Sequence, residues 1–174
     1  IWGFTFPQDV YYVAESLPRL GHSDRAELAL RFWLQHLPDV KAYGKRLLGT
    51  DGAYYPWTPP YKAFEQYEAD GVCGPDTYEL HNPAYVAAMV WRCCSDSSMR
   101  RELPRYFPVI EEVFRFYASI AAKNDARTYD VYHERGRGQD EASSTTGGLR
   151  NLLCASYSAE YSARIYLAAC ELVE

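Results

Sequence analysis

A repeated period constrains this chain more than any single residue does. Apolar side chains recur every three or four positions, as in Val10, Val13, Ala14 and Leu17, and then in Ala26, Leu30, Trp33 and Leu37. The same spacing returns in Tyr85, Val86, Met89 and Val90, in Val109, Val113, Phe116 and Ile120, and in Cys154, Tyr157, Tyr161, Ile165, Ala168 and Leu172. Each set falls on one face of an α-helix, and no segment sustains the strict alternation that a half-buried strand requires. The punctuation agrees with helices. Pro7 suits a first turn, and Gly21 is a stop. Ser23 reads as an N-cap, with Asp24 and Glu27 near the positive helix end. A third helix follows Pro38 and runs through Val40 and Leu47 to Gly49, and Asn82 with Pro83 opens a fourth that ends near Cys94. Pro104 and Pro108 mark the entry to a fifth, and 149–171 is the longest helical candidate. Only 127–133 suggests a short strand or hairpin arm. The expected class is all-α, with five to six helices set mostly as antiparallel helical hairpins in a single domain.

Two stretches break the period. Between Thr50 and Glu79, four prolines and three glycines exclude a long regular element, yet Tyr54, Tyr55, Trp57, Tyr61, Phe64, Tyr67 and Tyr78 crowd together there. A loop this aromatic either packs over the core or lines a ligand site. The second stretch, 132–146, reads YHERGRGQDEASSTT; it is poor in aliphatic side chains and carries the adjacent pair Asp140 and Glu141. Irregular backbone that holds carboxylates between rigid helices is a common setting for acid–base chemistry, and a solvated connection is the competing reading.

Composition narrows the function classes. The 174 residues carry a net charge of −5 without a basic block, which argues against nucleic acid as a partner. No apolar run approaches a membrane span, and no signal peptide is visible. The sequence opens on Ile1 and Trp2 rather than Met, and is read as a piece of something longer. The five cysteines show no metal-ligand spacing, so no metal or other cofactor is expected and a reducing, cytoplasmic compartment is favoured.

The order of short motifs resembles the catalytic barrel of the six-hairpin glycosidases, and within them the disaccharide phosphorylases and trehalases of glycoside hydrolase family sixty-five. IWGFTFPQD stands where that family has a Phe-Trp-Asp-Thr-Glu entry, and DGAYYPW at 51–57 where it has Gly-Ala-Met-Tyr-Pro-Trp. YELHNPAYVAAMVW at 78–91 matches its Ile-His segment and the following helix, and VFRFYASI at 113–120 its Ala-Arg-Phe-Trp-Ala-Ser helix. GQDEA at 138–142 stands for its acid loop, Gly-Pro-Asp-Glu-Tyr, and GGLRNLLCASYSAEYSARIYLAACEL for the helix beyond. The family's later motifs have no counterpart. The resemblance therefore implies roughly the first half to two-thirds of an (α/α)6 barrel, a length that fits one domain of ordinary size.

What the resemblance implies for the site can be stated residue by residue. Glu141 takes the place of the general acid, and Asp140 beside it raises the acid's pKa or binds a sugar hydroxyl. Trp2 is the ring that packs on the sugar. The family's Asp directly after that Trp is replaced by Gly3, which leaves Asp9 either to take over or to serve only as a helix-start acid. Tyr55 and Trp57 are expected on the cleft wall, with core packing as the other reading. Glu79 and His81 are expected to meet hydroxyls at the mouth of a helix, with a structural His bonded to backbone as the other reading. Tyr117 stands where the family has a Trp, with core packing as the other reading. No general base is marked; Glu134 is an available carboxylate near the loop. The implied activity is inverting hydrolysis of α-linked glucosides. Disaccharide phosphorolysis with inorganic phosphate is one alternative, and a non-catalytic carbohydrate-binding or interaction module is another. Half of a ring of hairpins would also leave an open apolar face, so self-association is expected.

Overall fold

The computed structural model describes residues 5–60, 78–95, 98–125, 127–137 and 150–173. Helices dominate: α1 (Pro7–Ala14), α2 (Ser23–Gln35), α3 (Leu37–Leu48), α4 (Asn82–Cys94), α5 (Leu103–Ser119) and α6 (Leu153–Val173). Four short strands accompany them. β2 (Ala121–Lys123) and β3 (Tyr129–Val131) form the antiparallel hairpin that the 127–133 pattern suggested. β1 (Tyr78–Glu79) pairs in parallel with β4 (Gly136–Arg137), a contact that the sequence did not announce. None of the described helices is long and apolar enough to cross a membrane.

Two helix entries differ from the sequence reading. Ser23 lies inside α2 and not at its cap. Gly21, with φ of 83°, turns the chain so that the His22 carbonyl accepts from Ala26 and starts the helix. The Ser23 hydroxyl, freed from capping, lies 2.8 Å from that of Ser98. Leu37 opens α3 instead of closing α2, because the two helices meet at His36. Pro38 then sits in the first turn of α3, where its missing N–H costs nothing.

The packing has two layers. α1 packs on α4 and α4 on α6, while α5 covers α4 and α6, and α2 touches α1, α4 and α5. Contacts along the seams give the directions. Tyr11 of α1 lies beside Tyr85 of α4, with ring centroids 5.7 Å apart. One to two turns further along both helices, Glu15 meets Arg92 at 3.3 Å and the Cys93 thiol donates to the Ala14 carbonyl. α1 and α4 therefore run the same way. α6 follows them, since Cys154 in its first turn senses Tyr85 and Tyr161 further along senses Arg92. α5 runs in reverse: Tyr117 near its end bonds the Leu80 carbonyl, while Tyr106 near its start senses Cys94 at the end of α4. Three helices thus point the same way in one layer, and the ends at which they begin share one side of it.

Much of the aromatic content fills the core. Trp33, Tyr43, Tyr54, Tyr55, Tyr78 and Phe116 are all fully buried. Buried phenols need partners, and two find backbone carbonyls: Tyr54 donates to Glu79 and Tyr55 to Trp33. Gly52 brings this segment down onto α5. Its φ is 76°, and a Cβ there would lie 2.2 Å from the Phe116 nitrogen. The next residue, Ala53, donates to the Glu112 carbonyl at 2.8 Å.

Candidate functional site

Trp2, Asp140 and Glu141 lie outside the described residues, so the site is built from what surrounds them in sequence. The segment before α4 holds its most polar part. Glu79 is 1% exposed and His81 2% exposed, with Glu79 Oε2 3.4 Å from His81 Nε2. Asn82, the first residue of α4, donates its amide to the same carboxylate oxygen at 2.9 Å. A buried carboxylate is tolerated only when it is hydrogen-bonded and paired in this way. Strand pairing fixes the backbone on either side, with the Tyr78 N–H donating to Arg135 and the register setting Glu79 opposite Arg137. Gly136 allows that approach: a Cβ at this position would lie 2.4 Å from Leu80 Cδ1. Arg135 extends the anchor by placing its guanidinium over the Tyr78 ring and donating to the Leu47 carbonyl.

Tyr117 holds this corner together. Its hydroxyl donates to the Leu80 carbonyl at 2.8 Å, and it also engages the Ala84 N–H and Ser158. Burial raises its pKa strongly, so the phenol stays neutral. Being 2% exposed, Tyr117 positions the start of α4 against α6 rather than offering a face to a ligand.

Beside the buried cluster opens a cavity of about 290 Å³, set between α1, α4 and α6. α1 contributes Tyr11 and Tyr12, α4 contributes Tyr85 with His81 just ahead of it, and α6 contributes Tyr157 and Tyr161. Small residues, Ala84, Ala88 and Ser158, complete the lining. The rings are in mutual contact: Tyr12 with Tyr85 at 6.3 Å, His81 with Tyr85 at 6.1 Å, and Tyr157 with Tyr161 at 5.9 Å. Tyr12 and Tyr157 remain 55% and 64% exposed, so two aromatic faces stand at the mouth. Tyr11 and Tyr85 are both pushed up to about 12, chiefly by burial; among the lesser causes are nearby carboxylates, Glu15 for Tyr11 and Glu79 for Tyr85. Five phenols around this cavity can stack on a ring and exchange hydrogen bonds with its substituents.

The sequence-derived site residues divide accordingly. Glu79 and His81 lie together, buried, at the start of α4. Asp9 is exposed in the first turn of α1, where a carboxylate favours the helix start, and it is not drawn into the cluster. Tyr55 belongs to the core and not to a cleft wall, because its hydroxyl is taken by Trp33 and its ring meets the Trp33 indole edge-on at 5.5 Å. Trp57 is half-buried and meets Phe6 edge-on at 5.4 Å, and the Thr5 N–H bonds Pro59, so this loop is tied to the segment entering α1. Glu134 is exposed. The tyrosine pocket itself was missed. Its signal is present in the sequence, because Tyr85 and the pair Tyr157 and Tyr161 stand in the helical stripes, but a stripe marks a helix face and not a cavity.

A scan of the chain against protein-family models finds no match, and neither does a search of curated proteins.

Proposed function

We propose that this chain is part of a six-hairpin, (α/α)6-barrel carbohydrate enzyme, resembling glycoside hydrolase family sixty-five, that cleaves α-linked glucosides with inversion. One observation supports the reading above all. α1, α4 and α6 run in the same direction, and each is preceded in sequence by one of the expected site segments: Trp2, then Glu79 with His81, then Asp140 with Glu141. Glu79 is paired with Arg137, and the four residues from there to Glu141 span at most about 14 Å when fully extended. On this reading the hairpins continue round a closed ring, and the exposed apolar side chains on the outer α1 and α6 seams, such as Val13 and Leu167, receive further helices or a second copy.

The chemistry is the inverting scheme. Glu141 as general acid gives its proton to the glycosidic oxygen while the bond from that oxygen to the anomeric carbon breaks. Water attacks the same carbon from the opposite face and loses its proton to a base. Asp140 beside Glu141 keeps the acid protonated by like-charge repulsion, or binds a hydroxyl. Among the described residues the lining of the tyrosine pocket contains neither Lys nor Arg, which favours water over phosphate as the attacking species. A non-catalytic carbohydrate-binding module is the second reading, favoured by the exposed rings of Tyr12 and Tyr157.

Product analysis tests the proposal. Incubation with α-linked glucose disaccharides, with and without phosphate, should release free glucose at a rate that phosphate does not change. Phosphate-dependent formation of a sugar phosphate would establish the phosphorylase instead. Saturable binding without turnover would favour the module.

A further inference from the structure

The tyrosine pocket has a consistent electrostatic character. Among the described residues its lining offers five phenol rings, an imidazole, a hydroxyl and alanine methyls, with no lysine or arginine. Behind it, Glu79 and His81 together carry a charge of −1 when the imidazole is neutral and zero when it is protonated, and in neither state is the pair positive. The guanidinium of Arg92, on α4, is matched by Glu15 at 3.3 Å. The pocket lies beyond the first turn of α1 and α6; it meets α4 within its first turn, at His81 and Ala84, where the Glu79 carboxylate bonded to Asn82 already sits at the helix start. Aromatic faces carry negative potential at their centres and attract cations, most strongly where water is excluded.

We infer that the pocket takes a six-membered sugar ring bearing a protonated amine, so that the substrate is a glucoside in which one ring is an amino sugar. The inference rests on the carbohydrate reading and adds a charge preference to it. The cavity has a volume of about 290 Å³. The ammonium would lie against the phenol faces, and the remaining hydroxyls would exchange hydrogen bonds with the phenols and Ser158.

Three rings of like size and different charge test this by calorimetric titration of the whole chain: glucosamine, glucose and glucuronate. Glucosamine should bind about tenfold tighter than glucose, and glucuronate weakest of the three. Tyr157→Leu removes an exposed aromatic face without opening the core and should abolish most of that preference, whereas Tyr157→Phe should retain it. Equal binding of glucosamine and glucose would overturn the charge preference and leave the carbohydrate reading standing. Binding of tetramethylammonium with none of the three sugars would keep the cation pocket and remove the sugar from it, overturning the inference. A glucosamine preference untouched by Tyr157→Leu would also overturn it, since the ammonium would then lie elsewhere. If no sugar and no cation bound, the inference and the carbohydrate reading would fall together.

Discussion

Gly52 shows how closely one position can control the site's surroundings. Its left-handed backbone would strain any side chain, and a Cβ would run into α5 backbone atoms at 2.2 and 2.4 Å, which cannot swing aside as a flexible side chain could. Gly52→Ala should lower stability on the order of 3 kcal/mol, read as a drop in the denaturation midpoint, because strain and overlap add. A loss below about 0.5 kcal/mol would mean that this segment is not seated on α5. Asn151 is a second position of this kind. It adopts φ of 52°, and its N–H and side-chain carbonyl both bond Val131 while its amide bonds Asp130. That clip joins β3 to the start of α6 and brings the two ends of the acid-bearing segment together.

At the scale of elements, the seam between α1 and α4 should respond to alkali. Cys93 and Cys94 lie fully buried on α4, and burial pushes both thiols up to about 12 from an ordinary value of 9.0. In the folded state they keep protons that the unfolded chain gives up, so stability is fully present below about pH 9 and is lost as the pH rises toward 12. Tyr11 and Tyr85, also raised to about 12, act in the same direction from pH 10 upward. Urea midpoints measured from pH 7 to 11 should fall steadily above pH 9, and more gently in Cys94→Ala. A flat profile would contradict the burial. The helices were legible in sequence because a 3.6-residue period survives without knowledge of neighbours. Their entries were harder to read: Ser23 has the chemistry of a cap, but Gly21 decides where the turn ends. The β1–β4 pairing was hidden because two-residue strands carry no period and their partners lie far apart along the chain.

For the whole molecule, the parallel arrangement of α1, α4 and α6 sets the beginnings of these three helices on one side of their layer, and the sequence reads the surroundings of that side unevenly. Glu79 and His81 were legible because two polar residues ahead of an apolar helix need a purpose. Tyr55 was misread because a buried Tyr and a cleft Tyr look alike until the hydroxyl's partner is known. The tyrosine pocket escaped because its rings come from three helices, and helical stripes do not say which face meets a core and which a cavity. The claim on which the account depends is that Glu141 protonates the departing oxygen, and leaving-group dependence tests it most directly. Glu141→Gln should slow turnover of an α-linked glucose disaccharide by roughly 10³-fold while sparing α-glucosyl fluoride, whose leaving group needs little protonation. Equal loss on both substrates, or full activity on the disaccharide, would contradict the assignment of Glu141 as the acid.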